Sequence, residues 1–112
     1  MQRAARWNTE TSVVFPAGET DSQRFSLALG VFGSLIVDPG SELVGKSVNV
    51  VAVSRRGNFQ PTSMLSEPKV LQAGNNFFTR DELLEIGAAE LVFFRLDSAV
   101  GSDSRATLLW KA

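Results

Sequence analysis

Three residue types that carry much of protein chemistry are scarce or missing in this chain: it has no cysteine, no histidine and no tyrosine. Without cysteine there are no disulfides, no thiolate nucleophile and no Cys-ligated zinc, although a cysteine-free chain fits any compartment. Without histidine the commonest general base and the commonest metal ligand are gone, and the usual nucleophile–base pairs cannot be assembled. Platforms for stacking on sugar rings are also few. Only two Trp are present; Trp110 shares a strand phase with Leu108 and reads as core, and Trp7 alone is a thin platform. Charge of either sign is not in excess: 11 basic and 12 acidic residues give a net charge of −1. Only Arg55-Arg56 and the N-terminal Arg3 and Arg6 could begin a basic stripe, so no nucleic-acid partner is expected. The longest apolar run, residues 30–37, falls far short of the roughly 20 residues that cross a bilayer. No apolar segment follows Met1 to Trp7, so neither a signal peptide nor a membrane partner is expected, and synthesis is placed in the cytoplasm. No glycine-rich stretch has the spacing that cradles a phosphate.

What is present is ample material for one core. A chain of 112 residues with eight Phe and many Val and Leu needs no disulfide or metal to account for its stability. The stretch KSVNVVAVS, residues 46–54, is rich in β-branched residues. It puts Val48, Val50 and Ala52 on one side and Asn49, Val51 and Val53 on the other, as a central strand covered on both faces would. ELVFFRLD (90–97) and RATLLWK (105–111) read as further strands bounded by Gly, Ser or Asp. Upstream, residues 1–10 form a polar arm carrying Trp7, and 11–112 a single domain. Strands are expected at 11–15 and 24–29, where Phe25, Leu27 and Leu29 alternate with smaller residues, and at 34–37. Pro16-Ala17-Gly18 and Asp38-Pro39-Gly40 are turns, the second with positive φ assigned to Gly40. Pro61 makes 59–65 an edge or broken strand. Residues 69–72 and 76–78 are short pieces, with a turn at 73–76 between them. One helix is expected, because Thr79 followed three residues later by Glu82 has the capping-box spacing, with Gly87 as its stop. About eight short strands and one short helix make an all-β fold, an antiparallel β-sandwich that is jelly-roll-like.

Carboxylates are the remaining candidates for chemistry. Glu82 and Glu85 would share a helix face, as a glycosidase pair must share a groove, but helix-surface glutamates are ordinarily solvated charges. Asp38, Glu42, Asp97 and Asp103 are loop oxygens of the type calcium takes, yet they form no dense alternating array, and turn formation accounts for them. The reading is no enzyme, no catalytic residue, no cofactor and no metal. Arg95 interrupts an apolar strand, so its guanidinium must reach an edge, an acid such as Asp97 or Glu90, or a subunit interface.

An N-terminal arm, an apolar strand before Arg56-Gly57-Asn58-Phe59, a late strand running into Arg95-Leu96-Asp97-Ser98 and a last strand ending at Leu108 to Lys111 together resemble small virion structural proteins of tailed bacteriophages. The layout is similar to jelly-roll capsid decoration or cement proteins. That resemblance implies a homo-oligomer, dimer or trimer, that bridges major capsid protein or other virion proteins through a dispersed surface and resides in the virion. The exposed residues expected to contact partners are Arg3, Arg6 and Trp7 of the arm, Arg55, Arg56 and Asn58 at a hairpin tip, and Asp97, Ser98 and Asp103 in the late loop. A receptor- or carbohydrate-binding module of a tail fibre or spike is the alternative.

Overall fold

The computed structural model of the chain describes residues 9–26, 31–53, 62, 63, 65, 67–79, 81, 82 and 91–111. Among these, nine strands are present: β1 (Thr9–Phe15), β2 (Phe25–Ser26), β3 (Val31–Val37), β4 (Ser47–Val53), β5 (Thr62–Ser63), β6 (Lys69–Val70), β7 (Gly74–Phe77), β8 (Leu91–Leu96) and β9 (Ser104–Lys111). They form two antiparallel sheets, one in the order β1-β9-β3-β7 and the other β2-β8-β4-β5, with β6 also on β4. Both β5 and β6 lie on the side of β4 away from β8, so they are two pieces of one broken edge strand. With that pair counted once, successive strands alternate between the sheets except from β4 to its edge partner, which is the strand order of a jelly roll.

The sheets meet on the faces set by strand alternation. Val13 and Phe15 of β1, Leu35 and Val37 of β3, Ala106 and Leu108 of β9 face Val48 and Val50 of β4 and Val92, Phe94 and Leu96 of β8 in one buried core. Leu43, Leu71 and Val100 close it from the loops. The outer side of the second sheet is covered as well: Val51, Val53 and Phe93 are buried there with Leu91 packed against them. This is why β4 and β8 read as near-continuous apolar runs rather than as clean alternations.

Several local expectations shift. β1 begins at Thr9, not Thr11, because Thr9 and Glu10 pair with Trp110 and Leu109; two residues of the presumed arm are therefore strand. β3 starts at Val31, with a register irregularity between Phe32 and Ser34 at Gly33, where a strand glycine commonly marks a bulge. Residues 73–76 do not make a separate turn, since β7 already begins at Gly74, whose φ is 91°. Gly40 does not adopt positive φ. The turn closes through Ser41 N–H to Asp38 C=O at 3.0 Å, as a turn with two negative central φ values can. Pro16-Ala17-Gly18 does use its glycine, at φ 83°, with Glu19 N–H donating to Pro16 C=O.

The helix start is as the sequence specified. Glu82 N–H donates to Thr79 Oγ1 at 3.3 Å and Thr79 N–H to Glu82 Oε1 at 2.6 Å, a reciprocal capping box. Asp81 and Glu82 are helical; Glu85, Gly87 and the rest of the expected helix lie outside the described residues, as do 27–29 of the second expected strand and the side chain of Trp110. β7, before this segment, and β8, after it, belong to different sheets.

Candidate functional site

One end of the sandwich is built around residues 97–103, between β8 and β9, held by the β1–β2 and β3–β4 connections. Asp97 Oδ1 accepts from Ser47 N–H at 3.2 Å, and Asp97 N–H donates to Ser47 C=O at 3.0 Å. Lys46 Nζ donates to Ser98 Oγ at 2.8 Å and to Ala99 C=O at 3.3 Å. Glu42 accepts Gly101 N–H at 2.6 Å and Ser102 N–H at 3.3 Å. From the other side Gly18 N–H donates to Val100 C=O at 2.8 Å, Val100 N–H to Glu19 C=O at 3.3 Å, and Ala17 N–H to Asp103 Oδ1 at 2.8 Å. Val100 is buried beneath. Its polar ends satisfied and its apolar centre anchored, the loop is a preformed surface rather than a mobile one.

Between this loop and the β3–β4 connection lies an open crevice of about 530 Å³ lined by Asp38, Gly40, Ser41, Glu42, Ser102, Asp103, Ser104 and Arg105. The two backbone N–H groups on Glu42, Gly101 first, hold its carboxyl below the usual carboxylate range. At neutral pH it is an anionic acceptor and no proton donor. The crevice is polar, with Arg105 beside its acids. Of the four loop acids weighed for calcium, three already accept backbone N–H groups. Among the described residues no three His, Cys, Asp or Glu converge on one point.

A second surface lies on the outer face of the other sheet. Residues 20–22 continue the line of β2 beside β8, through Leu96 N–H to Thr20 C=O and Ser22 N–H to Phe94 C=O, so that Asp21 stands opposite Arg95. Arg95 Nε donates to Asp21 Oδ1 at 2.9 Å and its Nη2 to Oδ2 at 3.1 Å. Arg95 thus pairs with Asp21; of the two acids expected for it, Asp97 is engaged by Ser47 and Glu90 lies outside the described residues. Hydrogen bonding to Arg95 lowers the Asp21 pKa, and the same pair raises that of Arg95. Arg95 also lies over the Phe93 ring at 5.2 Å, with Arg24 at 5.7 Å. The stack explains how an arginine sits in an apolar strand: its guanidinium lies over the Phe93 ring and on Asp21 while the residue as a whole stays exposed.

Of the residues expected to contact partners, Asp97, Ser98 and Asp103 are exposed and gathered in the single pinned loop. Arg3, Arg6, Trp7, Arg55, Arg56 and Asn58 lie outside the described residues. Glu82 is engaged with Lys69 at 3.4 Å as well as in its cap. Sequence reading missed the latching role of Glu42 and the pairing role of Asp21, which sits 74 residues from Arg95; neither has a local signal, because both depend on which loops the topology brings together. No protein-family model, no curated protein and no solved structure matches this chain.

Proposed function

We propose that this protein is a non-enzymatic structural component of a phage virion that decorates or cements the capsid through oligomeric protein–protein contacts. The observation that carries the reading is the jelly-roll strand order with its exposed 97–103 loop held by hydrogen bonds from two neighbouring connections. A rigid sandwich that presents a preformed loop loses little order on docking, which favours binding to a fixed shell. The partners are further copies of this chain and the major capsid protein. Binding only to the assembled shell would stabilise that shell by mass action.

The direct test is thermal disruption of heads with and without the purified protein. A higher disruption temperature in its presence supports the reading, and no shift at saturating protein removes it. Trp7→Ala should leave the unfolding temperature of the isolated protein unchanged while weakening its binding to heads; loss of stability in the isolated protein would place Trp7 in the core instead. The polar crevice beside the loop favours a second reading, a receptor- or carbohydrate-binding module of a fibre or spike. Retention of a glycan on an array, lost in Asp38→Ala, would favour that reading.

A further inference from the structure

Among the described residues the first sheet has two edge strands, β1 and β7. An edge strand holds out N–H and C=O groups to which a strand of another molecule can add. On β1 these outward groups include the Ser12 C=O and the Val14 N–H, and both are occupied by one side chain: Gln23 Nε2 donates to Ser12 C=O at 2.6 Å and Gln23 Oε1 accepts from Val14 N–H at 2.9 Å. Gln23 is exposed and comes from the β1–β2 connection, so no burial holds it there; the two hydrogen bonds do.

The same device recurs where the fold itself lacks a strand partner. In the break between β5 and β6, Asn49 on β4 accepts Leu65 N–H at 3.2 Å and donates to Leu65 C=O at 3.4 Å. Ahead of β7, Asn76 accepts Gln72 N–H at 2.8 Å and donates to Gln72 C=O at 2.9 Å. In each case a side-chain amide supplies the donor and acceptor that a neighbouring backbone would. Asn49 and Asn76 do so within the molecule. Gln23 does so on the outer side of β1, where no strand among the described residues pairs.

We propose that Gln23 is an edge guard: its amide occupies β1 and prevents the β1 of a second copy from adding antiparallel to it. The first sheet would otherwise extend into a ribbon shared by two molecules, and any oligomer the protein forms is thereby directed to other surfaces. This inference does not depend on the virion reading.

The test is mass by light scattering over a range of concentrations for the wild type, Gln23→Ala, and Gln23→Ala combined with Val14→Pro. Val14 N–H points away from β9 and bonds only outward, so proline there removes the adding strand's donor without breaking the ladder to β9. The expected result is that Gln23→Ala rises with concentration to about twice the wild-type mass and that Val14→Pro reverses the rise. Gln23→Met, which keeps side-chain length but has no hydrogen-bonding amide, should behave like Gln23→Ala and serves if that variant does not fold. Masses equal to wild type in both single variants would overturn the proposal, as would a rise that Val14→Pro leaves in place. The wild-type mass reports separately on whether the protein is an oligomer at all.

Discussion

Asn76 is a polar side chain, 6% exposed, in a strand edge that otherwise carries little to pack. Besides its two bonds to Gln72 it donates to Leu35 C=O at 3.0 Å and Gly74 C=O at 3.2 Å, so one amide joins the approach to β7, the strand itself and β3. Replacing it with alanine takes this amide from the buried Leu35 C=O and from the partly buried Gln72 N–H and C=O, at a cost of about 1–3 kcal/mol. Asn76→Ala should accordingly lower the unfolding free energy by that amount, read in urea as a lower midpoint with an unchanged slope. In the sequence, Gly74-Asn75-Asn76 reads as a turn because Asn and Gly favour turns. The side-chain bonds were invisible there, since one partner, Leu35, lies 41 residues away. Arg95 was legible in the opposite sense: a charge within an apolar strand had to be paired, although only the fold supplied Asp21.

At the scale of elements, the strongest local signal was the one at Thr79 and Glu82, where both bonds of the capping box form. Thr79→Ala removes one of them and should destabilise by about 1 kcal/mol, read by chemical denaturation, with Thr79→Ser close to wild type. The apolar runs that became β4 and β8 were equally plain, because burial on both faces leaves little room for polar residues, and β9 was plain through its alternation of buried and less buried residues. Broken and short elements were less so. Pro61 itself lies outside the described residues, but the edge position expected for its strand from a proline's missing donor holds for β5, an edge piece of two residues. That β5 and β6 belong to one interrupted edge follows from their common partner β4, with Asn49 bridging the gap.

Across the whole molecule, the two sheets are tied by core burial and one end is tied by the loop latch, and part of that tie is acidic. Glu42 and Asp21 both have folded pKa values depressed below their ordinary values of 4.5 and 3.8. The stability that goes with such groups is present above the ordinary values and is lost as pH falls through the folded ones. Unfolding midpoints should therefore be flat near neutrality and fall in acid. Glu42→Gln and Asp21→Asn together should flatten that acid limb, measured as urea midpoint against pH. The Asp21–Arg95 contribution should be under about 1 kcal/mol, because the side chains are 37% and 47% exposed and water screens the pair. In Glu42→Gln the Gly101 and Ser102 amides should also exchange faster with solvent, which locates the effect at the latch.

The sequence by itself determined the class of fold and the identity of its central strands, because period-two alternation, β-branched composition and turn residues act over a few neighbours. It also settled which chemistries were ruled out by residue type, through the missing cysteine and histidine. Only the tertiary structure decided which acid meets Arg95, that Glu42 and Lys46 hold the late loop, and that three side-chain amides take the place of strand partners. Most of these pairings are long-range. A jelly roll sends consecutive strands to opposite sheets, so residues that meet are mostly far apart in sequence, and hydrogen-bond geometry acts only once the topology has brought them within about 3 Å.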